Sequence, residues 1–309
     1  MSVAKPLPHD AAKLHVTGAA RYVDDIPTPA TTLHIAFGLS TVAAGTLNSM
    51  DLRDVAAAPG VVAVLTAADL PFDNDVSPSN HDEPLLATDA VHYAGQPVFM
   101  VIATTHLAAR HAARLGAVDI TPTTPILTIE EALAADARFE DGPRVYQKGD
   151  AAAALTTAPQ TLSGTINIGG QEHFYLEGQV AFVVPQEDFD FKVYSSTQHP
   201  SETQQIIAKM LNQKSNTITV EVRRVGGGFG GKETQSFIFA AICTLLAKKT
   251  KLPVKLRMDR DDDMLITGKR HDFYVDYETG FNELGVIEGL KIKLASRCGI
   301  SPDLSGAIN

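Results

Sequence analysis

Hydrophobic and polar positions divide the first 121 residues into short alternating and continuous runs. Leu33–Leu39, Leu-His-Ile-Ala-Phe-Gly-Leu, alternates large apolar residues with smaller or polar ones and predicts a strand. Val61–Thr66 predicts a second, buried strand, and Val91–Ala94 with Pro97–Ala103 a third strand region around a Gly95-Gln96 turn. Val118–Thr121 predicts the last strand of this part. Between them, Leu52–Ala58 reads as a short helix stopped by Pro59-Gly60, Ala67 opens a small helix, and His106–Leu115 is an alanine-rich helix. Residues 1 to about 25 read as an extended lead-in, and 72–84, rich in Asp, Asn, Ser and Pro, as a surface loop. The order strand, helix, two strands, helix, strand predicts a compact α+β domain over 1–125.

Residues 126–149 predict a connector with one short helix at Ile129–Ala135 and an Arg138–Gly142 turn. The second domain, 150–309, opens with a brief helix at Asp150–Leu155 and a strand at Leu162–Ile168. Val180–Pro185 and Phe191–Ser195 predict a hairpin, and Ser201–Asn212 an amphipathic helix with Ile206, Ile207, Met210 and Leu211 inward. Ile218, Val220 and Val222 alternate with polar residues as a strand with one buried face, and the apolar run Ser236–Lys249 predicts a buried helix closed by two lysines. Val254–Met258 is a further strand; Phe273–Tyr277 and Val286–Ala295 predict one antiparallel sheet, with no closing element after Arg297.

The sequence around 223–235 has no counterpart elsewhere in the chain. Gly226-Gly-Gly-Phe-Gly-Gly231 places five glycines in six positions around one phenylalanine, between the 218–222 strand and the buried helix. Such a loop can bring backbone amides against a ligand without an intervening Cβ, and the helix adds the positive end of its dipole. Gly226, Gly228 and Gly231 satisfy a dinucleotide fingerprint, but a first strand of that fold is buried on both faces, and this one carries Glu221 and Arg223 on its second face. Gly226 and Gly231-Lys232 approach a phosphate-binding loop, but Glu233 stands where the magnesium-binding hydroxyl belongs. Nucleotide binding through Gly226–Lys232 remains an alternative. Glu233 is the leading site candidate: at a helix start, it can accept hydrogen bonds from the N–H edge of a heterocycle, or it simply caps the helix.

Other chemistry-bearing groups are read more plainly. Gln171, after two glycines, offers both a donor and an acceptor to a ligand. Glu172 and His173 lack a third metal partner nearby and are assigned to structural hydrogen bonding; His106 and His111, five apart, do not share the helix face a metal pair needs. Asp259–Asp263 lacks the spacing of a calcium loop and reads as a turn neutralised by Arg257 and Arg260. Cys243 and Cys298, the only cysteines, form no C-x-x-C pair, so no zinc or iron–sulfur site is built from these thiols alone.

Four motifs together resemble the molybdenum hydroxylases, the xanthine dehydrogenase and aldehyde oxidase family. They are Gly-Gly-Gln-Glu-His-Phe-Tyr-Leu-Glu at 169–177, Ser-Ser-Thr-Gln-His-Pro at 195–200, Gly-Gly-Gly-Phe-Gly-Gly-Lys-Glu-Thr at 226–234, and the 259–271 segment ending Gly-Lys-Arg-His. The opening Lys5–Asp10 and Val16–Asp25 are similar to the start of the family's separate bacterial molybdopterin-binding subunit. The resemblance implies an α/β hammerhead-type domain followed by the first part of a molybdopterin-binding domain. It implies that Gln171 and Phe229 stand near molybdenum, that Gly227, Gly228, Phe229 and Gly230 cradle the pterin, and that Glu233 binds the purine. It further implies xanthine dehydrogenase activity of a whole heteromeric enzyme, a heterotetramer or larger, with iron–sulfur clusters, FAD and NAD on or through a smaller partner subunit. By the same comparison the chain is an N-terminal fragment, inactive alone, with the general base in a part beyond it and no catalytic residue within it. A family enzyme acting on aldehydes or other N-heterocycles, and a non-catalytic scaffold, stay open beside this.

Composition excludes other classes. The 309 residues are 44% hydrophobic and 20% charged, as in ordinary globular domains, and a net charge of -10 argues against a nucleic-acid surface. Met1–Pro8 has no apolar core of a signal peptide, and Phe237–Ala247 is too short to span a membrane. These point to a cytoplasmic protein.

Overall fold

The computed structural model describes residues 3–70, 74–77, 80–139 and 143–309, so parts of the expected 72–84 loop and Arg138–Gly142 turn lie outside the described residues. The first part comprises helix α1 (Ala12–Val16), strands β1 (Leu33–Leu39) and β2 (Gly45–Asp51), α2 (Arg53–Ala57), β3 (Val61–Leu65), β4 (Ala90–Val91), β5 (Pro97–Ala103), α3 (His106–Ala113) and β6 (Ala117–Pro122). Two features depart from expectation. The lead-in contains α1, and β2 pairs with β4 and β6 in a small sheet where no strand was predicted. The register of β2 shifts between Leu47 and Ser49, and such a bulge breaks the period-two pattern that would have marked it.

After α4 (Ile129–Ala134) follow α5 (Ala151–Thr157), β7 (Gln160–Ile168), β8 (Val180–Pro185), β9 (Phe191–Ser195), α6 (Pro200–Met210), β10 (Ile218–Glu221) and α7 (Gln235–Thr250). The chain then forms β11 (Val254–Arg257), α8 (Arg260–Ile266), β12 (Phe273–Phe281), β13 (Ile287–Ser296) and α9 (Ser305–Ile308). The 180–195 hairpin forms as predicted, with Val183 opposite Val193.

A seven-stranded sheet in the order β10-β9-β8-β11-β1-β5-β3 joins early and late segments. Strand β11 lies parallel to β1, Leu33 opposite Val254, so the first part does not close on itself: its sheet continues directly into the second. Strand β5 is buried along its whole length because it serves two cores. Met100 and Ile102 join the core beneath α7, while Phe99 and Val101 pack under α2 and α3. That explains why its sequence is continuously apolar rather than alternating.

Helix α7 is buried from Ser236 through Ala247 and packs across β8, β9 and β11 beside α6. Phe237 is fully buried there; cutting it to alanine would cost about 3–5 kcal/mol. Because α7 is fixed by this packing, its N-terminus is a rigid platform for the glycine loop that precedes it.

Two further expectations are corrected. Asp259 to Asp263 is no turn: Asp259 occupies the N-cap and Asp261, Asp262 and Asp263 the first turn of α8, where carboxylates favour the helix dipole. Beyond Arg297 the chain folds back and ends in α9, with Arg144 donating to the Gly306 carbonyl at 3.0 Å and Ser301 to Asp82 at 3.1 Å. Among the described residues no helix is long and apolar enough to cross a membrane.

Candidate functional site

The glycine loop connects β10 to α7 and is held on a buried polar network. Glu177 anchors its start: Gly226 N–H donates to Glu177 Oε2 at 2.7 Å, and Glu177 N–H donates back to the Gly226 carbonyl at 3.1 Å. Gln198 anchors its far side, its Oε1 accepting from Gly230 N–H at 3.0 Å and Lys232 N–H at 3.2 Å. Below the loop, Gln179 donates to the Gly231 carbonyl at 2.9 Å and to the Tyr175 hydroxyl, which donates to Asp263 Oδ1 at 2.6 Å. Buried polar groups of this kind are costly unless paired, and here they pair with one another except at Gln179 Oε1, which has no hydrogen-bond partner among the described residues. Burial beside Asp263 pushes the Tyr175 hydroxyl well above the usual phenol range, so it stays a donor.

The glycines have distinct reasons. A Cβ on Gly226 would lie 2.4 Å from Glu177, on Gly228 2.3 Å from Gln198, and on Gly231 2.7 Å from the His173 ring. Gly227 and Gly230 instead adopt φ of +94° and +93°, conformations that side chains resist. Phe229, between them, is held at φ 52° and is 65% exposed. A bulky residue in that backbone region, its ring turned to solvent, is strained by its surroundings, and such strain clusters at binding sites.

Lys232 bears on the phosphate-loop alternative. Its ammonium is fully buried, donates to the Glu177 carbonyl at 2.6 Å and lies 4.6 Å from the Tyr175 ring centroid. It points under the loop and cannot reach a phosphate in its mouth. Strand β10 is moreover an edge of its sheet, unlike the buried first strand of a dinucleotide fold. The helix-cap role of Glu233 also fails, because Thr234 is the N-cap and Glu233 stands before it. Among the described residues, Glu233 Oε1 has one side-chain hydrogen bond, from Gln198 Nε2 at 3.5 Å.

Phe229 faces an open cleft of about 780 Å³ lined by Gln171, Glu172, His173 and Arg270. Arg270 donates to Gln171 Oε1 at 3.2 Å, and its backbone N–H to the Gln171 carbonyl at 3.1 Å, so the 169–177 and 259–271 motifs meet here. Glu172 forms an ion pair with Lys269 at 3.0 Å rather than the hydrogen bond expected of it. The acidic run at the start of α8 is neutralised chiefly by Arg110 from α3, which bonds Asp259 and lies 3.0 Å from Asp262, while Arg257 lies 3.1 Å from Asp259. Arg260, expected as a counter-charge, instead donates to the carbonyls of Tyr175 and Leu176 at 2.6 and 2.9 Å.

The structure thus brings Gly227, Gly228, Phe229, Gly230 and Glu233 together, with Gln171 on the adjoining wall. Gln198, Glu177 and Tyr175 had no assigned role, and Lys232 was weighed only as part of a phosphate loop. Gln198 and Tyr175 stand inside the quoted motifs, but nothing in their spacing reveals that they support the loop.

Residues 137–309 match the family described as molybdopterin cofactor-binding domain, and residues 17–123 match the aldehyde oxidase and xanthine dehydrogenase, a/b hammerhead domain. The chain belongs to the xanthine dehydrogenase and aldehyde oxidase family of molybdopterin-binding proteins. Xanthine dehydrogenase of Drosophila subobscura is 38% identical over 308 residues, covering 99% of this chain and 23% of the relative. Xanthine dehydrogenase/oxidase of Mus musculus is 40% identical over 308 residues, again covering 99% and 23%. The chain therefore spans 23% of the length of these relatives. Among solved structures, quinoline 2-oxidoreductase from Pseudomonas putida 86 superposes with a TM-score of 0.84 at 23% identity, covering 95% of this chain and 39% of that one. Aldehyde oxidoreductase from Desulfovibrio gigas gives 0.79 at 24% identity, covering 94% and 34%. These two share the fold, which in this chain is a hammerhead domain followed by the molybdopterin cofactor-binding domain.

The residues present fit a pterin-bound metal. Where a Cβ of Gly230 would stand, no described atom outside its chain neighbours Phe229 and Gly231 lies nearer than 3.9 Å, so a ligand atom can approach the backbone beside the exposed Phe229 ring.

Proposed function

We propose that this chain is the N-terminal part, with boundaries near 125 and 150, of the molybdenum-cofactor-binding subunit of a cytoplasmic xanthine dehydrogenase acting in purine catabolism. Gly227, Gly228, Phe229 and Gly230 hold the cofactor, with Phe229 and Gln171 in the environment of the metal. When bound, the cofactor supplies the redox chemistry of hydroxylating a purine carbon. Electrons leave through iron–sulfur and FAD centres of a smaller partner subunit to NAD, in an assembly of at least two chains of each kind.

The observation that carries the purine assignment is the placement of Glu233. Its carboxylate borders the open space over Gly230 beside the Phe229 ring, with a single 3.5 Å hydrogen bond from Gln198 Nε2 among the described residues. A carboxylate so placed accepts hydrogen bonds from the N–H edge of a heterocycle and holds it against the aromatic face. An aldehyde has no such edge to offer. Lys232, Glu177 and Gln198 keep the loop in the shape that presents Phe229 and Glu233 together.

Metal analysis and xanthine-dependent NAD reduction on the complete gene product, co-expressed with its redox partner, test the proposal. Stoichiometric molybdenum with xanthine activity lost in Glu233→Ala is expected. Molybdenum with activity on aldehydes or other N-heterocycles alone would replace the substrate assignment, and absence of molybdenum from the assembled protein would overturn the reading.

A further inference from the structure

A second cavity lies where the two matched domains meet. Strand β11 ends at Arg257 and gives way to α8, so its parallel register with β1 runs only from Leu33 opposite Val254 to Ile35 opposite Leu256. Strand β1 continues to Leu39, paired there with β5 alone. The space left beside β1 is walled by α3 and α8 and has a volume of about 320 Å³, at the lower end of the roughly 300–1,000 Å³ range of small-molecule pockets. It shares no lining residue with the cleft before Phe229. Such pockets concentrate at domain seams, and here β1 and α3 come from the domain matched over 17–123, β11 and α8 from that over 137–309.

The lining divides into an apolar floor and a charged rim. Ile35, Leu256 and Met258, each no more than 5% exposed, form the floor together with Ile266. The rim holds Arg110, Arg114 and Arg257 against one carboxylate, Asp262. Arg110 bonds Asp259 and lies 3.0 Å from Asp262, while Arg257 lies 3.1 Å from Asp259 and 3.4 Å from Asp24. Those two guanidiniums are neutralised within the protein. Arg114, one turn beyond Arg110 at the C-cap of α3, is exposed, and its side chain makes no hydrogen bond or ion pair among the described residues. One positive charge is therefore left over at the mouth of an otherwise apolar slot.

We propose that this pocket binds a small aliphatic monocarboxylate, its chain against the floor formed by β1 and β11 and its carboxylate on Arg114. The chain gains by leaving water, and a planar guanidinium matches a carboxylate in shape and charge. A cation is disfavoured by the arginine rim. A dianion is disfavoured too, because Asp262 lines the same space and a single guanidinium lacks an acidic partner among the described residues. The site is independent of the purine assignment, since none of its residues belongs to the glycine loop or the cleft beside it.

The test is isothermal titration of octanoate, with octanol as the uncharged control, into the complete, assembled protein. The wild type should bind octanoate at one site per copy of this chain, and octanol more weakly. Arg114→Gln should weaken octanoate binding about 3- to 10-fold, the range of one charge-assisted contact at an exposed rim, and leave octanol binding unchanged. Ala113→Leu, which places a larger side chain on the lining, should abolish binding of both. No saturable octanoate binding by the wild type below about 1 mM, or unchanged octanoate affinity in both variants, would overturn the proposal. Equal affinity for octanoate and octanol would overturn the role of Arg114 and with it the carboxylate assignment. Arg114 is exposed, so its replacement carries no folding cost, and Arg114→Gln alone decides the matter if Ala113→Leu lowers the unfolding midpoint.

Discussion

The Lys232 ammonium donates to the Glu177 carbonyl at 2.6 Å and lies 3.5 Å from the same residue's carboxylate, sealed from solvent. Glu177 in turn accepts from Gly226 N–H at 2.7 Å and from Val23 N–H at 3.3 Å. One ion pair thereby joins the glycine loop, the 169–177 motif and the N-terminal lead-in. Burial pulls the Lys232 pKa down to about 8, against the opposing pull of Glu177.

Removing the lysine charge strands the glutamate. Lys232→Met, close in volume, should destabilise the protein by roughly 3 kcal/mol, because breaking a buried pair leaves an uncompensated charge. The double variant Lys232→Met/Glu177→Gln should recover much of that loss. Urea unfolding of the two variants checks this; equal stability of Lys232→Met and wild type would mean the pair does not hold the loop.

Adjacent glycines should separate stability from binding. A Cβ at Gly231 meets His173 and Tyr175 within 2.8 Å, so Gly231→Ala should cost about 1–3 kcal/mol by overpacking. Apart from its chain neighbours, a Cβ at Gly230 meets no described atom nearer than 3.9 Å but must adopt φ near +93°, a strain of about 1–2 kcal/mol. Gly230→Ala should therefore fold, and its methyl should intrude on the space proposed for cofactor and substrate. Thermal midpoints and xanthine titration of both variants give the comparison; stronger binding loss in Gly231→Ala than in Gly230→Ala would contradict the placement of the site.

Glu83 makes one pH dependence specific. Burial first, then the nearby Asp303 carboxylate, raises its pKa from 4.5 to about 7, while Gln235 at the start of α7 donates to it at 3.5 Å. The folded state therefore holds a proton that the unfolded chain releases, so its stabilising contribution is complete below pH 4.5 and disappears as pH rises through 7. Glu83→Gln should abolish this decline and raise stability above pH 7. Denaturation midpoints from pH 5 to 8 measure it; parallel profiles for variant and wild type would show that the carboxyl titrates normally.

Legibility in the sequence followed the range of the interactions. Helix α7 and the loop before it were readable because an apolar run and five clustered glycines are local signals. The hairpin of β8 and β9 was readable for the same reason. The pairing of Leu33 with Val254 was not, since no local pattern specifies which distant strand fills a sheet. Helix α8 was hidden by its acidic start, although an aspartate N-cap followed by carboxylates is itself a helix-start signature. Within the site, Phe229 and Glu233 stood out by their glycine surroundings. Gln198 did not, and Lys232 was read only as a phosphate-loop lysine, because their roles come from contacts with residues more than thirty positions away.

The second sheet, in the order β13-β12-β7, carries a last consequence. Its register aligns Leu162 with Thr279 and Leu290, Gly164 with Tyr277 and Ile292, and Ile166 with Val275 and Leu294, all on one face. Leu162, Ile166, Leu290, Ile292 and Leu294 are each 44–63% exposed. Contiguous apolar surface of this kind promotes association and dye binding. Ile292→Thr/Leu294→Thr keeps strand propensity and exposes no new backbone, so the stability of the isolated chain should change by less than about 0.5 kcal/mol per site. Fluorescence of an apolar dye should fall markedly, and sedimentation should show a larger monomer fraction. Unaltered dye binding would mean that this face is not the chain's accessible apolar surface.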